Sequence, residues 1–265
     1  MSNFAYPFAP LAKSTSVFLA GLAALCLAAT AGSAADGGRL TVLAAASSQP
    51  AVKEAARLFT AETGIAVDCS FGGTGGLLNQ IRMEHFGDLF IPASDDFMDK
   101  AEEEALVDAS TRRILCWLQP VICVAKGNPK QIKALKDLAQ PGLRVALADP
   151  KSATIGTIAK AAMEAAGVYG AVSKRIVTYA TDVQHSVSLL RLKEIDATFA
   201  YDVSQRQSSE VIDAVPIEGA RAITIPVAVV AFSKQKERAQ RFADYLAGPQ
   251  GRAVFARHGY IIDPS

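Results

Sequence analysis

From residue 39 onward the chain alternates short apolar runs with segments of helical periodicity, and that alternation restricts the fold more than any single motif. RLTVLAAA (39–46) is a strand-like run. In the segment after it, Val52, Ala55, Ala56 and Phe59 fall at i, i+3, i+4 and i+7, on one helix face. Ser47 and Ser48 offer caps there, Pro50 suits the first turn, and Gly64 can end the helix. IAVDCSF (65–71), a helix in LLNQIRMEH, DLFIPAS (88–94) and a helix in FMDKAEEEAL continue the series. A second series begins after LQPVICVAKGNP (118–129). It runs through a short helix in LKDLAQPG, a strand LRVALADP (143–150), a helix IAKAAMEAAG, a strand RIVTYA (175–180), a helix reaching Leu190, and the strand ATFA (197–200). ITIPVAVVAFS (223–233) and a helix with Ala239, Phe242, Ala243 and Leu246 on one face follow. This pattern predicts an α/β fold with mostly parallel pairing. PVICVAKGNP and ITIPVAVV are long apolar strands without a tight following helix, so they are the expected crossings between two lobes.

The first 35 residues read differently. Lys13 is the sole charge before Asp36, an apolar stretch spans about Val17 to Ala29, and small residues cluster after it. These features predict a secretory signal peptide over residues 1–35, with the alternative of a retained anchor opposed by the shortness of the apolar stretch. Leu25 before Cys26 is too large for a lipidation signal. Export leaves Cys69, Cys116 and Cys123. Cys116 and Cys123 can pair across a bend at Pro120, or all three can remain buried thiols. His85, His185 and His258 are scattered, and no Cys or His spacing suggests a metal site.

A formal net charge of +1 gives no basis for nucleic acid or an anionic membrane surface as a partner. Any anion must be held by local geometry. Five strand-to-helix junctions supply such geometry: AAASSQP (44–50), FGGTGGLL (71–78), ADPKSATIG (148–156), YATDV (179–183) and FAYD (199–202). Ligands of open α/β sheets bind outside the carboxyl ends of strands, and first-turn N–H groups favour anions. Each junction also has a plainer use. Ser47 and Ser48 can cap a helix, the glycines at 72–76 can make a tight turn, and Tyr201 can be a core aromatic. FGGTGG lacks the Lys-Ser/Thr of a phosphate loop, and no Gly-x-Ser-x-Gly elbow or triad is present, which argues against a nucleotide enzyme or hydrolase. Asp182 and His185 are a helical i, i+3 pair.

The order of AAAS, ETGIAVDCSFGGTGGLLNQI, GDLFIPASDDFMDKA, VAKGNP, RVALADP, TDV, ATFAYD, IPVAVV and YLAGPQGRAVFARHGY resembles the periplasmic molybdate-binding proteins of ABC transporters. The likeness implies a type II periplasmic-binding-protein fold, in which two α/β lobes are joined by two crossing strands with the ligand cleft between them. Residues 36–117 and 226–265 would form lobe 1, and residues 118–225 lobe 2. It implies a ligand set of Ser47, Thr74, Ile155, Val183 and Tyr201, acting through hydroxyls and backbone N–H groups without a counter-charge. Ile155 stands where the family has a small residue, and the glycine loop where it is serine-rich. It further implies a monomeric, non-enzymatic periplasmic protein with no cofactor. Such a protein takes a small oxyanion, molybdate or tungstate first, and delivers it to a membrane permease. Another oxyanion, a small carboxylate or a phosphate ester, held by a sensor or scavenging protein, is the alternative implied by the same fold.

Overall fold

Two five-stranded sheets with the same strand order organise the chain. The computed structural model describes residues 38–264, so the signal peptide expected for residues 1–35 lies outside the described residues. In chain order the elements are β1 (Leu40–Ala45), α1 (Gln49–Thr63), β2 (Val67–Gly72), α2 (Thr74–Glu84), β3 (Leu89–Ile91), α3 (Asp95–Glu103), β4 (Val107–Leu118) and β5 (Pro120–Ala125). Next come β6 (Val145–Ala148), α4 (Thr154–Ala165), α5 (Tyr169–Val172), β7 (Ile176–Ala180), α6 (Val183–Arg191), β8 (Ala197–Tyr201) and α7 (Asp202–Arg206). The last are β9 (Ile212–Pro216), β10 (Ile223–Val230), α8 (Lys236–Ala247) and α9 (Pro249–Arg257).

Sheet 1 runs β2-β1-β3-β10-β4 and sheet 2 runs β7-β6-β8-β5-β9. In each, the first three strands are parallel and the remaining pairings are antiparallel. Pairing is therefore evenly mixed, which corrects the expectation of mostly parallel strands. Half of the antiparallel pairings come from the crossing strands, β10 against β3 and β5 against β8, and half from β4 and β9, which the hydropathy pattern did not reveal. β4 carries Thr111, Arg112 and Arg113 in its middle and is continuously buried only near Leu115 and Cys116. β9 is a short edge strand that ends on Pro216, where a missing N–H does no harm.

Leu40, Val42 and Ala44 of β1 join the large core that includes α1 and α8, whereas Leu43 turns to a smaller cluster with Leu77, Leu78 and Ile81 of α2. A parallel strand buried on both faces must read as nearly continuously apolar, and β1 does, with half-buried Thr41 as its one polar residue. α1 buries Ala51, Val52, Ala55, Ala56 and Phe59, and Gly64 closes it in the left-handed region at φ 73°. The chain passes between sheets twice, at Gln119 and through residues 217–222. The Gln119 amide Nε2 donates to the Ala220 carbonyl at 3.0 Å, binding one passage to the other. Gln119 and Asp202 are also reciprocally bonded, Asp202 N–H to the Gln119 carbonyl and Gln119 N–H to Asp202 Oδ1.

Cys116 and Cys123 are free, buried thiols on strands of different sheets, and Cys69 is free as well. Burial pushes the Cys123 thiol up to about 12, so it stays neutral. Among the described residues no helix is long and apolar enough to cross a membrane, and no cluster of His, Cys, Asp and Glu could hold a metal ion.

Candidate functional site

The carboxyl ends of β1, β2, β6, β7 and β8 meet at one small cavity between the sheets. Ser47, Thr74, Ile155, Val183 and Tyr201 all line it, with Ala45, Ala46, Gly72, Gly73, Ala93, Ala153, Thr154 and Asp182. Within it the centre of a water-sized sphere has about 20 Å³ of room. No lysine, arginine or histidine is among the lining residues.

Neither Ser47 nor Ser48 caps α1 through its side chain. Ser48 Oγ instead donates to the Ala45 carbonyl at 2.8 Å, and Ser47 Oγ is buried without a partner. Tyr201 is 1% exposed, and its hydroxyl likewise has no partner. A third buried atom without a well-aligned hydrogen bond, Asp202 Oδ2, lies 2.6 Å from Nη2 of Arg206 in an ion pair, so it is compensated by charge. Buried polar groups are almost always paired, because each orphan costs about 1–3 kcal/mol. Two orphan hydroxyls facing one cavity therefore mark a place built for an acceptor. Burial pushes the Tyr201 phenol pKa well up, which keeps its proton available for donation.

Thr74 Oγ1 accepts the Ala93 N–H at 3.2 Å, which leaves the hydroxyl proton to donate elsewhere. Val183 and Ile155 lie in the first turns of α6 and α4, where N–H groups have no intrahelical acceptor. Ile155 also belongs to the large apolar core. Asp182 is the only acidic lining residue, and its carboxylate is committed to capping α6, accepting the His185 N–H at 2.9 Å. The Asp182–His185 pair expected on a helix face is thus a cap. The site presents neutral donors and two helix starts.

Two contributors escaped the sequence reading. Thr154 lines the cavity at the start of α4, with its Oγ1 3.5 Å from Ser94 Oγ across the cleft. Its position at a strand-to-helix junction is the same signal that singled out Ser47. Tyr260, buried near the chain's end, donates from its hydroxyl to the Ser47 carbonyl at 2.6 Å and fixes that residue's backbone. Only the HGY segment (258–260) pointed toward it.

The glycines at 72–76 do not serve a left-handed turn, since none of the four has a positive φ. α2 begins at Thr74, earlier than its apolar run suggested, so Gly75 and Gly76 sit in its first turn. The Gly75 N–H donates across the cleft to the Ser152 carbonyl at 2.9 Å. Gln184 Nε2 reaches the Ala46 carbonyl at 3.3 Å, a second contact between the two sheets' loops.

Comparison with known proteins agrees with this architecture. The chain is 30% identical over 247 residues to the molybdate-binding protein ModA of Escherichia coli (strain K12), a match covering 91% of this chain and 95% of that protein. Among solved structures, the periplasmic molybdate-binding protein of Azotobacter vinelandii superposes with a TM-score of 0.74 at 19% identity, over 86% of this chain and 100% of that one. The sulfate-binding protein SubI of Mycobacterium tuberculosis H37Rv gives 0.74 at 20% identity, over 85% of this chain and 88% of the other. The two mixed sheets and their passages are those of the type II periplasmic-binding-protein fold. The model of the bacterial extracellular solute-binding proteins matches residues 40–261, from the first residue of β1 to beyond α9, and the chain belongs to that family.

Proposed function

We propose that this protein is an exported, periplasmic receptor of an ABC transporter that captures a small tetrahedral oxyanion between its lobes and passes it unchanged to a membrane permease. The observation that carries the reading is the pair of buried, partnerless hydroxyls, Ser47 Oγ and Tyr201 OH, which line one small cavity without a cationic residue. An oxyanion with acceptor oxygens on every side would satisfy both, along with the Thr74 hydroxyl and the first-turn N–H groups at 155 and 183. Excluding water strengthens such bonds, so a dianion can be held without a cation.

Size favours the same ligand class. A sphere of about 20 Å³ has a radius of about 1.7 Å for the centres of water-sized atoms, comparable to the distance of the oxygens from the central atom of a tetrahedral oxyanion. A sugar phosphate or peptide is too large. The molybdate-binding relatives make molybdate and tungstate the first candidates, with sulfate next. A thermal-shift and calorimetric panel over molybdate, tungstate, sulfate and phosphate tests the reading. A ligand at a thousandfold excess over its Kd should raise the native state's stability by about 4 kcal/mol. No shift with any of the four anions would overturn it.

A further inference from the structure

Gly73 and Gly75 lie where the two lobes touch main chain to main chain, and their missing side chains are what permits the contact. A Cβ at Gly73 would lie 2.6 Å from the Ser152 carbonyl oxygen and 2.7 Å from that of Thr181. One at Gly75 would lie 2.6 Å from the Lys151 carbonyl oxygen. These neighbours are backbone atoms of the other lobe and cannot turn aside as a flexible side chain can. The Gly75 N–H closes the same contact with its 2.9 Å bond to Ser152. Gly76, one residue on, has nothing within 4 Å of its Cβ position and is an internal control. Gly72 meets only the Leu77 side chain, at 3.7 Å.

We infer that Gly73 and Gly75 are specificity-determining residues: they form a main-chain latch that sets how far the lobes close and so how small an anion the cavity can enclose. The inference rests on the oxyanion reading of the cavity, since the latch is the rim of the same space, with Gly73 among its lining residues. Side chains at 73 and 75 would hold the lobes apart and leave a small anion loosely wrapped. Glycine at both positions lets two peptide chains touch directly.

The test compares Gly73→Ala and Gly75→Ala with Gly76→Ala in the intact mature protein. Calorimetry with molybdate, tungstate, sulfate and phosphate reads affinity, and hydrogen exchange reads the residue-75 amide. The first two variants should bind molybdate about tenfold or more weakly, from steric overlap and a lost hydrogen bond, while Gly76→Ala binds like wild type. The preference among anions should shift toward the larger ones. The ligand-free melting temperature of Gly75→Ala should not fall, because alanine is favoured over glycine inside the first turn of a helix. Gly73 precedes that turn as the N-cap of α2, where glycine is the better residue, so a small fall in Gly73→Ala does not bear on the latch.

If Gly75→Ala and Gly76→Ala bind alike, the latch is overturned even though the wild type binds molybdate. If the wild type binds none of the four anions, the oxyanion reading falls, and exchange alone judges the latch. A faster residue-75 amide in Gly73→Ala than in Gly76→Ala then supports it, and equal rates overturn it.

Discussion

On the proposed function, the two lobes would hold one ligand with different groups. Both use three parallel strands and two helix starts, β1-α1-β2-α2-β3 in lobe 1 and β6-α4-β7-α6-β8 in lobe 2. Lobe 1 brings hydroxyls, Ser47 and Thr74, from junctions whose caps make no side-chain bond. Lobe 2 brings backbone at Ile155 and Val183, with a true cap at Asp182, and adds Tyr201. A backbone donor is aimed by its helix and needs no further support. A side-chain donor needs anchoring, and lobe 1 provides it: Tyr260 grips the Ser47 carbonyl, and the Ala93 N–H holds Thr74 Oγ1. The extra helices α8 and α9, without counterparts in lobe 2, carry the chain to Tyr260.

Removing one donor from each lobe should have the largest effect. Ser47→Ala and Tyr201→Phe should each cost about 1.5–3 kcal/mol of molybdate affinity, as losses of bonds to a charged acceptor, and together more than either alone. Calorimetry that finds the double variant no weaker than wild type would break the comparison at its root. Next comes Val183→Pro, which deletes an N–H at a helix position that tolerates proline after an extended Asp182. Circular dichroism should be unchanged and binding about 1–2 kcal/mol weaker, smaller than the double loss. Unaltered affinity would mean lobe 2 does not use its backbone. The smallest effect belongs to Tyr260→Phe, which acts only through Ser47, at about 0.5–1.5 kcal/mol. Because that loss travels through Ser47, it should shrink in a Ser47→Ala background. Equal losses in both backgrounds would reduce Tyr260 to a packing role.

Local pattern carried much of this structure and missed what depends on distant contacts. β1 was legible because burial on both faces leaves every residue but Thr41 apolar. α1 was legible because Pro50 and Gly64 bracket a regular apolar face. β4 was hidden by Arg112 and Arg113, whose charges are matched by distant partners, Asp99 of α3 and Asp244 of α8. The start of α2 was hidden because glycine weakens a helix, and its first turn therefore reads as loop. The junctions stood out through their shared place at strand ends, and the family resemblance picked Ser47, Thr74, Ile155, Val183 and Tyr201 from them, all of which line the cavity. The Tyr260 bond to Ser47 spans 213 positions, and the contact of Gly75 with Ser152 joins opposite lobes. Neither leaves a local trace.

The double passage between sheets has a mechanical consequence. It leaves sheet 1 from β4 and returns into β10, on the opposite side of the sheet from β2, and it enters sheet 2 through β5, where Pro120 pairs with Tyr201. Tyr201 therefore stands near the fulcrum and would travel little if the lobes swing about these passages. Gly73 and Gly75 ride at the tip of a lever three to four strand spacings long, about 14–19 Å. Widening a 2.6 Å separation to an ordinary 3.4 Å contact is a displacement of 0.8 Å, or about 3° of swing at that radius. A methyl group's breadth at the tip is thus converted into an angle, and affinity should be most finely tuned by residues along the β2 and β7 edges, far from the pivot.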